Sequence, residues 1–232
     1  MFIPVGTEEI IPRQRFPAVT ATIVVINILF FLYEIYILIT SGEEGLIAFF
    51  NAFGLLPAAI ISGESILFPF YLTFFTSMFV HAGLLHILSN MIFLVIFGDN
   101  VEDMMGPAPY LVFYLLSGLA ASVVQIAADP TSMIPNVGAS GAIAGVLAGY
   151  LLLLPSGTVR MFIFLGPFSR ITRIPALLFI SVWFIIQLFS GVVSLGVVTE
   201  AGGIAYWAHI GGFLAGLLLA FIYREFMRRR LF

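Results

Sequence analysis

Two polar residues inside apolar sequence could carry nucleophilic chemistry. Ser140 lies in the tetrapeptide Gly-Ala-Ser-Gly at 138–141, at the start of an apolar run that ends at Leu154. His209 lies in a second apolar run, residues 205–223. A hydroxyl and an imidazole are costly at membrane depth, so polar side chains there usually serve a function. Together they form the minimum set for nucleophilic catalysis, in which a base takes the proton of an attacking hydroxyl.

The composition indicates a membrane protein. Of the 232 residues, 61% are hydrophobic and 9% are charged, with a mean hydropathy of +1.15, well outside the range of soluble domains. The chain has no cysteine, which excludes a disulfide framework or a thiolate metal site. Twelve acidic residues against nine basic ones argue against a nucleic-acid binder.

Six apolar runs are candidates for membrane-spanning helices, each of which needs roughly 20 residues. All nine basic residues are arginines, and they cluster before the first run, between the fourth and fifth, and after the last. The positive-inside rule then predicts that both termini are cytoplasmic, and six crossings agree with that orientation. The predicted spans are residues 18–40, 84–104, 108–128, 139–155, 174–195 and 203–223.

We therefore predict an all-α, polytopic membrane protein built as a six-helix bundle, and we expect it in the plasma membrane. Residues 1–17 would be a cytoplasmic segment, residues 18–223 the membrane domain, and residues 224–232 a basic cytoplasmic tail. The region 46–61 mixes aromatic and polar residues. It predicts either an interfacial element in the outer leaflet or a merely apolar loop.

The predicted orientation brings the polar residues to one depth. Ser140 begins span four, which runs from the outside to the inside, and His209 lies in the first third of span six, which runs the same way. His86 and Asn90 lie one helical turn apart at the start of span two, which also runs inward. These positions predict one shared site in the outer half of the membrane.

Small residues indicate which helix faces pack closely. At about 100° per residue, spans four and six each carry small residues at every fourth position, and these stripes contain Ser140 and His209. Such stripes let helix backbones approach closely in lipid, although many of them have no catalytic role. The predicted helix-packing residues are Gly141, Gly145, Gly212 and Gly216.

The fourth span is short, which has consequences for Ser140. Residues 139–154 would extend about 24 Å as a helix, against a hydrocarbon core of about 30 Å. Ser140 would therefore lie below the outer surface, where non-helical backbone before it must line a watery cavity or be buried in protein. The free N–H groups at the helix start could hold an oxyanion, and Asn90 and His86 could add donors. One such donor is worth roughly 3 kcal/mol.

No third member of a catalytic triad is evident. Asp129 and Glu200 lie at the surface ends of spans, and Glu34 lies in the first span, on a different helix. We therefore infer a Ser–His dyad in which packing, rather than a carboxylate, orients His209.

Other chemistries fit the sequence less well. A zinc site from the three histidines, His81, His86 and His209, is conceivable, but no His-Glu-x-x-His pattern is present. An intramembrane aspartyl protease is disfavoured because no pair of aspartates lies within the apolar spans. A small transporter with a polar midplane site would predict internal repeats, and the sequence contains none that we find.

The motifs, taken together, resemble those of the rhomboid family of intramembrane serine proteases. The likeness covers about residues 46–223, in order, and its combination of motifs is specific although each one alone is not. The matching pieces are His81-x4-His86-x3-Asn90, Glu102-x3-Gly106, Gly138-Ala139-Ser140-Gly141 and Ala208-His209-Ile210-Gly211-Gly212-x3-Gly216.

This resemblance implies roles for individual residues. Ser140 would be the nucleophile and His209 the general base, while His86, Asn90 and the Ser140 amide would form the oxyanion hole. Glu102 and Gly106 would be structural. The region 46–61 would be the half-submerged loop of the family, and the fifth span the lateral substrate gate.

The resemblance also implies an activity. The chain would cleave transmembrane protein substrates within the lipid bilayer, in or near the outer part of their span, and would need no cofactor or metal. Two departures stand out: Ala144 replaces the tyrosine that many members carry under the histidine ring, and the first loop lacks the Trp-Arg pair often found there. The rival interpretation is a non-catalytic rhomboid-like protein that binds membrane clients, although such a protein would not need Ser140 and His209.

Overall fold

The structure is a computed structural model, and it describes residues 2–9, 14–63, 69–164, 168–195 and 203–230. Two residues on which the predictions above depend lie outside the described residues: Glu200, and Arg13 among the arginines before the first span.

Helices dominate the described part of the chain. Five helical segments are long and apolar enough to cross a membrane, and a sixth, α7, is a shorter apolar helix, so the protein is multi-pass. The helices are α1 (Ala18–Phe53), α2 (Pro57–Ser62), α3 (Thr73–Thr76), α4 (Leu84–Phe93), α5 (Asp99–Met105), α6 (Pro107–Ala128), α7 (Ser140–Leu153), α8 (Ala176–Ser194) and α9 (Tyr206–Arg230), with a 3-10 turn at Phe70–Leu72 and a π-helical turn at Leu94–Gly98 that joins α4 to α5.

Two helices extend beyond their predicted ends. Helix α1 breaks at Gly42, where φ is 69° and ψ is −168°, and then continues to Phe53. The region 46–61 is therefore mostly helical, first as the end of α1 and then as α2. Helix α9 continues past residue 223 to Arg230, so the described part of the basic tail prolongs the last helix.

An acidic side chain at the end of the second span holds the start of the first. The Glu102 carboxylate accepts the backbone N–H groups of Val19 and Thr20 at 2.9 and 2.8 Å. These are donors that the first turn of a helix leaves without an intrahelical partner, so the carboxylate caps α1. Gly106 ends α5 with a φ of 80°, a conformation that favours glycine, and Pro107 then opens α6.

A three-stranded antiparallel sheet, which the sequence analysis did not predict, lies at the far end of α7 from Ser140. Its strands are β1 (Phe2–Glu8), β2 (Thr158–Ile163) and β3 (Arg170–Pro175), in the order β1-β2-β3. The Tyr150 hydroxyl, near the end of α7, donates to Glu9 Oε1 at 2.6 Å and so ties the first segment to the bundle. On the sheet, the Arg173 guanidinium donates twice to Glu8, and this contact lowers the pKa of the Glu8 carboxyl.

Helix α7 forms the centre of the bundle. Its residues 141–150 are all buried, and α6 and α9 pack against it. The backbones of α7 and α9 are in direct contact, since a Cβ added at Gly216 would lie 2.5 Å from the Cα and the carbonyl oxygen of Gly145. One turn earlier, a Cβ at Gly212 would collide with the carbonyl oxygen of Gly141. Side-chain-free backbone at these positions is what allows the helices to meet so closely.

Candidate active site

Ser140 and His209 form a hydrogen-bonded pair. Ser140 is the first residue of α7, and His209 lies in the first turn of α9. The Ser140 Oγ is 2.8 Å from the His209 Nε2, within the range required between a nucleophile and its base. The glycine contacts described above place these two helix starts side by side. The imidazole is buried, and the serine is half-buried.

The other imidazole nitrogen has a partner that the sequence analysis missed. The Gln187 Oε1, on α8, is 2.8 Å from the His209 Nδ1. An amide oxygen only accepts hydrogen bonds, so this contact fits a proton on Nδ1. The Nε2 lone pair is then free to accept the Ser140 hydroxyl proton. The orienting group is thus an uncharged amide, in addition to the packing that we had predicted.

A tryptophan of α8, the helix that carries Gln187, also lies beside the imidazole. The Trp183 ring centroid is 5.8 Å from that of His209, with 36° between the ring planes. Ala144 is almost fully buried and brings no ring to the histidine. The aromatic ring beside His209 therefore comes from α8 and not from position 144.

The proposed oxyanion residues line the same cavity as the dyad. This cavity has a volume of about 640 Å³, and His86, Asn90, Ser140 and His209 contribute to its wall. Asn90 Nδ2 donates to the His86 carbonyl at 3.1 Å. Since a side-chain amide carries two N–H donors, one remains for another acceptor. The first N–H groups of α7, including that of Ser140, have no partner within the helix.

Gly138 shapes the approach to the serine. Its φ is 120°, which a side chain would strain, and an added Cβ would lie 2.7 Å from the His86 ring. Its N–H donates to the Ser77 carbonyl at 2.8 Å, which fixes the turn before α7. A bulkier residue would therefore displace both the turn and the His86 ring.

The first loop is tied to the segment before α7 by backbone hydrogen bonds. The Leu55 N–H donates to the Asn136 carbonyl at 2.9 Å, and the Asn136 N–H donates back at 2.8 Å. The Ala58 N–H also donates to the Ser132 carbonyl at 3.1 Å. This bridge supplies an anchor in a loop that lacks the Trp-Arg pair.

The remaining candidates do not line this cavity. The His81 ring is buried against the His86 ring, with 5.0 Å between the ring centroids, and so lies behind the cavity wall. Glu34, which we considered as a third triad member, accepts the His81 backbone N–H at 2.9 Å. Glu102 and Gly106 lie at the other end of the bundle, at the start of α1. Among the described residues, no three His, Cys, Asp or Glu side chains are grouped as metal ligands.

This arrangement can perform acyl transfer. A hydroxyl is hydrogen-bonded to an imidazole, N–H donors of the backbone and of side chains line the same cavity, and the cavity gives access to the hydroxyl. These are the parts needed to attack a carbonyl carbon and to stabilise the oxyanion that forms.

Comparison with known proteins agrees with the motif resemblance. The sequence profile of the Rhomboid domain matches residues 70–226. RHOMBOID-like protein 6, mitochondrial, of Arabidopsis thaliana is 32% identical over 152 residues, which are 63% of this chain and 42% of that protein.

Two further relatives cover a similar part of the chain. RHOMBOID-like protein 2 of Arabidopsis thaliana is 34% identical over 146 residues, 62% of this chain and 40% of that protein. Rhomboid protein 1, mitochondrial, of Saccharomyces cerevisiae is 27% identical over 146 residues, 61% and 39% respectively. The chain thus spans about 40% of the length of these relatives.

Proposed function

This chain belongs to the rhomboid family of intramembrane serine proteases, and we propose that it hydrolyses peptide bonds in or near the outer part of transmembrane substrates. The observation that carries the proposal is the 2.8 Å contact between the Ser140 Oγ and the His209 Nε2 at the wall of a cavity. Some members of the family are inactive, so the presence of both Ser140 and His209 supports protease activity more strongly than family membership does.

The first half of the reaction forms an acyl-enzyme. The Ser140 Oγ attacks the substrate carbonyl carbon while His209 Nε2 takes the hydroxyl proton. The negative charge that develops on the carbonyl oxygen is held by the Ser140 amide and the Asn90 side chain, with His86 as a further donor. The C–N bond then breaks, and the imidazolium returns its proton to the leaving amine.

The second half releases the product. Water enters through the cavity, gives a proton to His209 and attacks the acyl carbon, and the Ser140 oxygen leaves as the hydroxyl is restored. The reaction therefore requires a water-filled cavity at membrane depth. Such a cavity also hydrates the non-helical backbone before Ser140.

The substrate must present an extended peptide bond to Ser140. A helical substrate hides its carbonyl groups in hydrogen bonds along the helix, so unwinding has to precede attack. The fifth span, α8, remains our prediction for the lateral gate through which a substrate would enter. We also retain the prediction that both termini are cytoplasmic, because the described arginines gather at the end of the bundle away from Ser140.

A serine-directed probe tests the proposal without knowledge of the substrate. A fluorophosphonate forms a P–O bond with an activated serine and releases fluoride. We expect the detergent-solubilised protein to be modified once, at Ser140, and His209→Ala to react roughly 10²-fold more slowly, because it lacks the general base. Ser140→Ala should not react at all. A folded wild-type protein that resists the probe, or equal labelling of Ser140→Ala, would refute the dyad.

A further inference from the structure

We propose that Gln187 is a positioning residue for His209, and that the face of α8 around it keeps the base in the tautomer that proton transfer requires. The inference rests on the function proposed above. It adds a requirement from a helix that supplies no reacting atom.

The hydrogen bonds of the imidazole favour one tautomer. For Ser140 to donate its proton to Nε2, the proton of the neutral ring must be on Nδ1, and Gln187 Oε1 lies 2.8 Å from Nδ1 to accept it. In the other tautomer the Nδ1 lone pair would face the amide oxygen, so that two acceptors would meet. The bond at one ring nitrogen thereby sets the state of the other.

Gln187 is held in place by a face of α8 that sits on α9. Trp183, Gln187 and Gly191 are spaced four residues apart and therefore lie on one side of the helix. Trp183 contacts the His209 ring, and the Gly191 carbonyl accepts the Trp207 Nε1–H at 3.1 Å. Contacts on three successive turns of α8 thus bracket the histidine.

The burial of Gln187 gives its contact a specific purpose. Gln187 is 8% exposed, whereas nine apolar residues of α8 are exposed. A buried amide is unfavourable unless it is hydrogen-bonded.

The hydrogen bond between Gln187 and the imidazole has a second effect during catalysis. When His209 accepts the serine proton it becomes a charged donor, and hydrogen bonds from charged donors are stronger than those from neutral ones.

This difference sets the expected size of the effect. The gain in strength when the donor becomes charged corresponds to about 5- to 10-fold in rate. This gain acts only in the transition state. Its loss would therefore lower kcat and leave KM unchanged. A purely structural glutamine would instead affect folding and leave the rate of the folded enzyme alone. If the rate depends on the contact between Gln187 and His209, then α8 must be packed against α9 at the moment of proton transfer.

Three variants separate these roles. Gln187→Met keeps the length of the side chain and removes the acceptor, while Gln187→Glu keeps an acceptor oxygen. Gln125→Met is the matched control, because the Gln125 Oε1 accepts the Ala208 N–H at 3.1 Å and so supports the same segment without touching the ring.

Cleavage of a transmembrane substrate in detergent gives kcat and KM for each variant. We expect Gln187→Met to lower kcat about 5- to 10-fold at unchanged KM, and Gln187→Glu, which keeps an acceptor for Nδ1, to retain at least about half of the wild-type kcat. Gln125→Met should keep the wild-type kcat even if its unfolding temperature falls. Wild-type kcat in Gln187→Met, or equal loss in Gln187→Glu, would overturn the inference.

A second measurement does not depend on activity. The chain has only three histidines, so ¹⁵N NMR of histidine-labelled protein, assigned with His209→Ala, reports the tautomer of each ring. We expect the His209 proton on Nδ1 in wild type and a mixture of tautomers in Gln187→Met. A wild-type proton on Nε2 would overturn the positioning role even if the protein cleaves. An inactive protein with the proton on Nδ1 would instead refute the proposed function and leave the positioning role intact.

Discussion

The contact between α7 and α9 can be tested by adding one methyl group. In Gly216→Ala the new Cβ would lie 2.5 Å from the Cα and carbonyl oxygen of Gly145, about 0.9 Å short of an ordinary contact of 3.4 Å. The obstacle is backbone, which cannot rotate away, so the helices must separate by about that distance. Such a shift would lengthen the 2.8 Å Ser140–His209 contact by up to the same amount, to about 3.7 Å, which is beyond hydrogen-bonding range.

Two losses should follow in Gly216→Ala. A displacement of about 1 Å between reacting groups can lower the rate about 10²-fold, and overpacking typically destabilises by about 1–3 kcal/mol. Cleavage of a transmembrane reporter and thermal unfolding in detergent would measure both. Gly83→Ala is the control, because a Cβ there meets nothing within 4 Å. If Gly216→Ala matches wild type in both rate and unfolding temperature, then the close contact between these helix backbones is wrong.

Three other expectations can be checked in the same assays. Asn90→Ala should lower kcat by roughly 10²–10³, the effect of one lost oxyanion donor, whereas wild-type turnover would reduce Asn90 to a packing residue. Glu102→Ala should destabilise the protein by roughly 1–3 kcal/mol because two N–H groups at the start of α1 lose their acceptor. The folded fraction should keep its kcat, and a lower kcat would contradict a purely structural role. Substrates with Gly, Ser or Pro in the outer third of their span should be cleaved fastest, since unwinding there is easier. Leucine at those positions should suppress cleavage, and unchanged rates would argue against an unwinding step.

The five helical segments long enough to cross a membrane, and the shorter apolar helix α7, were predictable because lipid-facing helices must be apolar over a fixed length. The short fourth span was predictable for the same reason, since the apolar run after Ser140 ends at Leu154. What hydropathy could not predict is where a helix continues beyond the apolar run. Residues 43–53, beyond the break at Gly42, and the arginine-rich end of α9 are both helical without being uniformly apolar.

The sheet was missed because its strands do not stand out in composition. Strand β3 reads Arg-Ile-Thr-Arg-Ile-Pro, and β2 places Arg160 between Val159 and Met161. The arginines were interpreted only as a topological signal. The alternation of side chains, with Val159 and Met161 buried and Arg160 half-exposed, is the period-2 signal of a strand that was available.

The pairing of Ser140 with His209 could be anticipated from depth and from the small-residue stripes, but the role of Gln187 could not. A polar side chain in a span can form its hydrogen bonds with many partners. Only the three-dimensional arrangement shows that the Gln187 amide meets the His209 Nδ1. The available signal was the spacing of Trp183, Gln187 and Gly191, which put a polar residue on one face with a small one.

The proposed protease activity is tested most directly by proteolysis of a substrate within a membrane. Wild-type protein and Ser140→Ala would be reconstituted in liposomes with a transmembrane substrate that has a Gly–Ser pair in its outer third, and the products identified by mass spectrometry. We predict that wild type cuts within that third and that Ser140→Ala, although folded, yields no product. Cleavage by Ser140→Ala at the wild-type rate, or cuts clustered at the cytoplasmic end of the substrate, would contradict it.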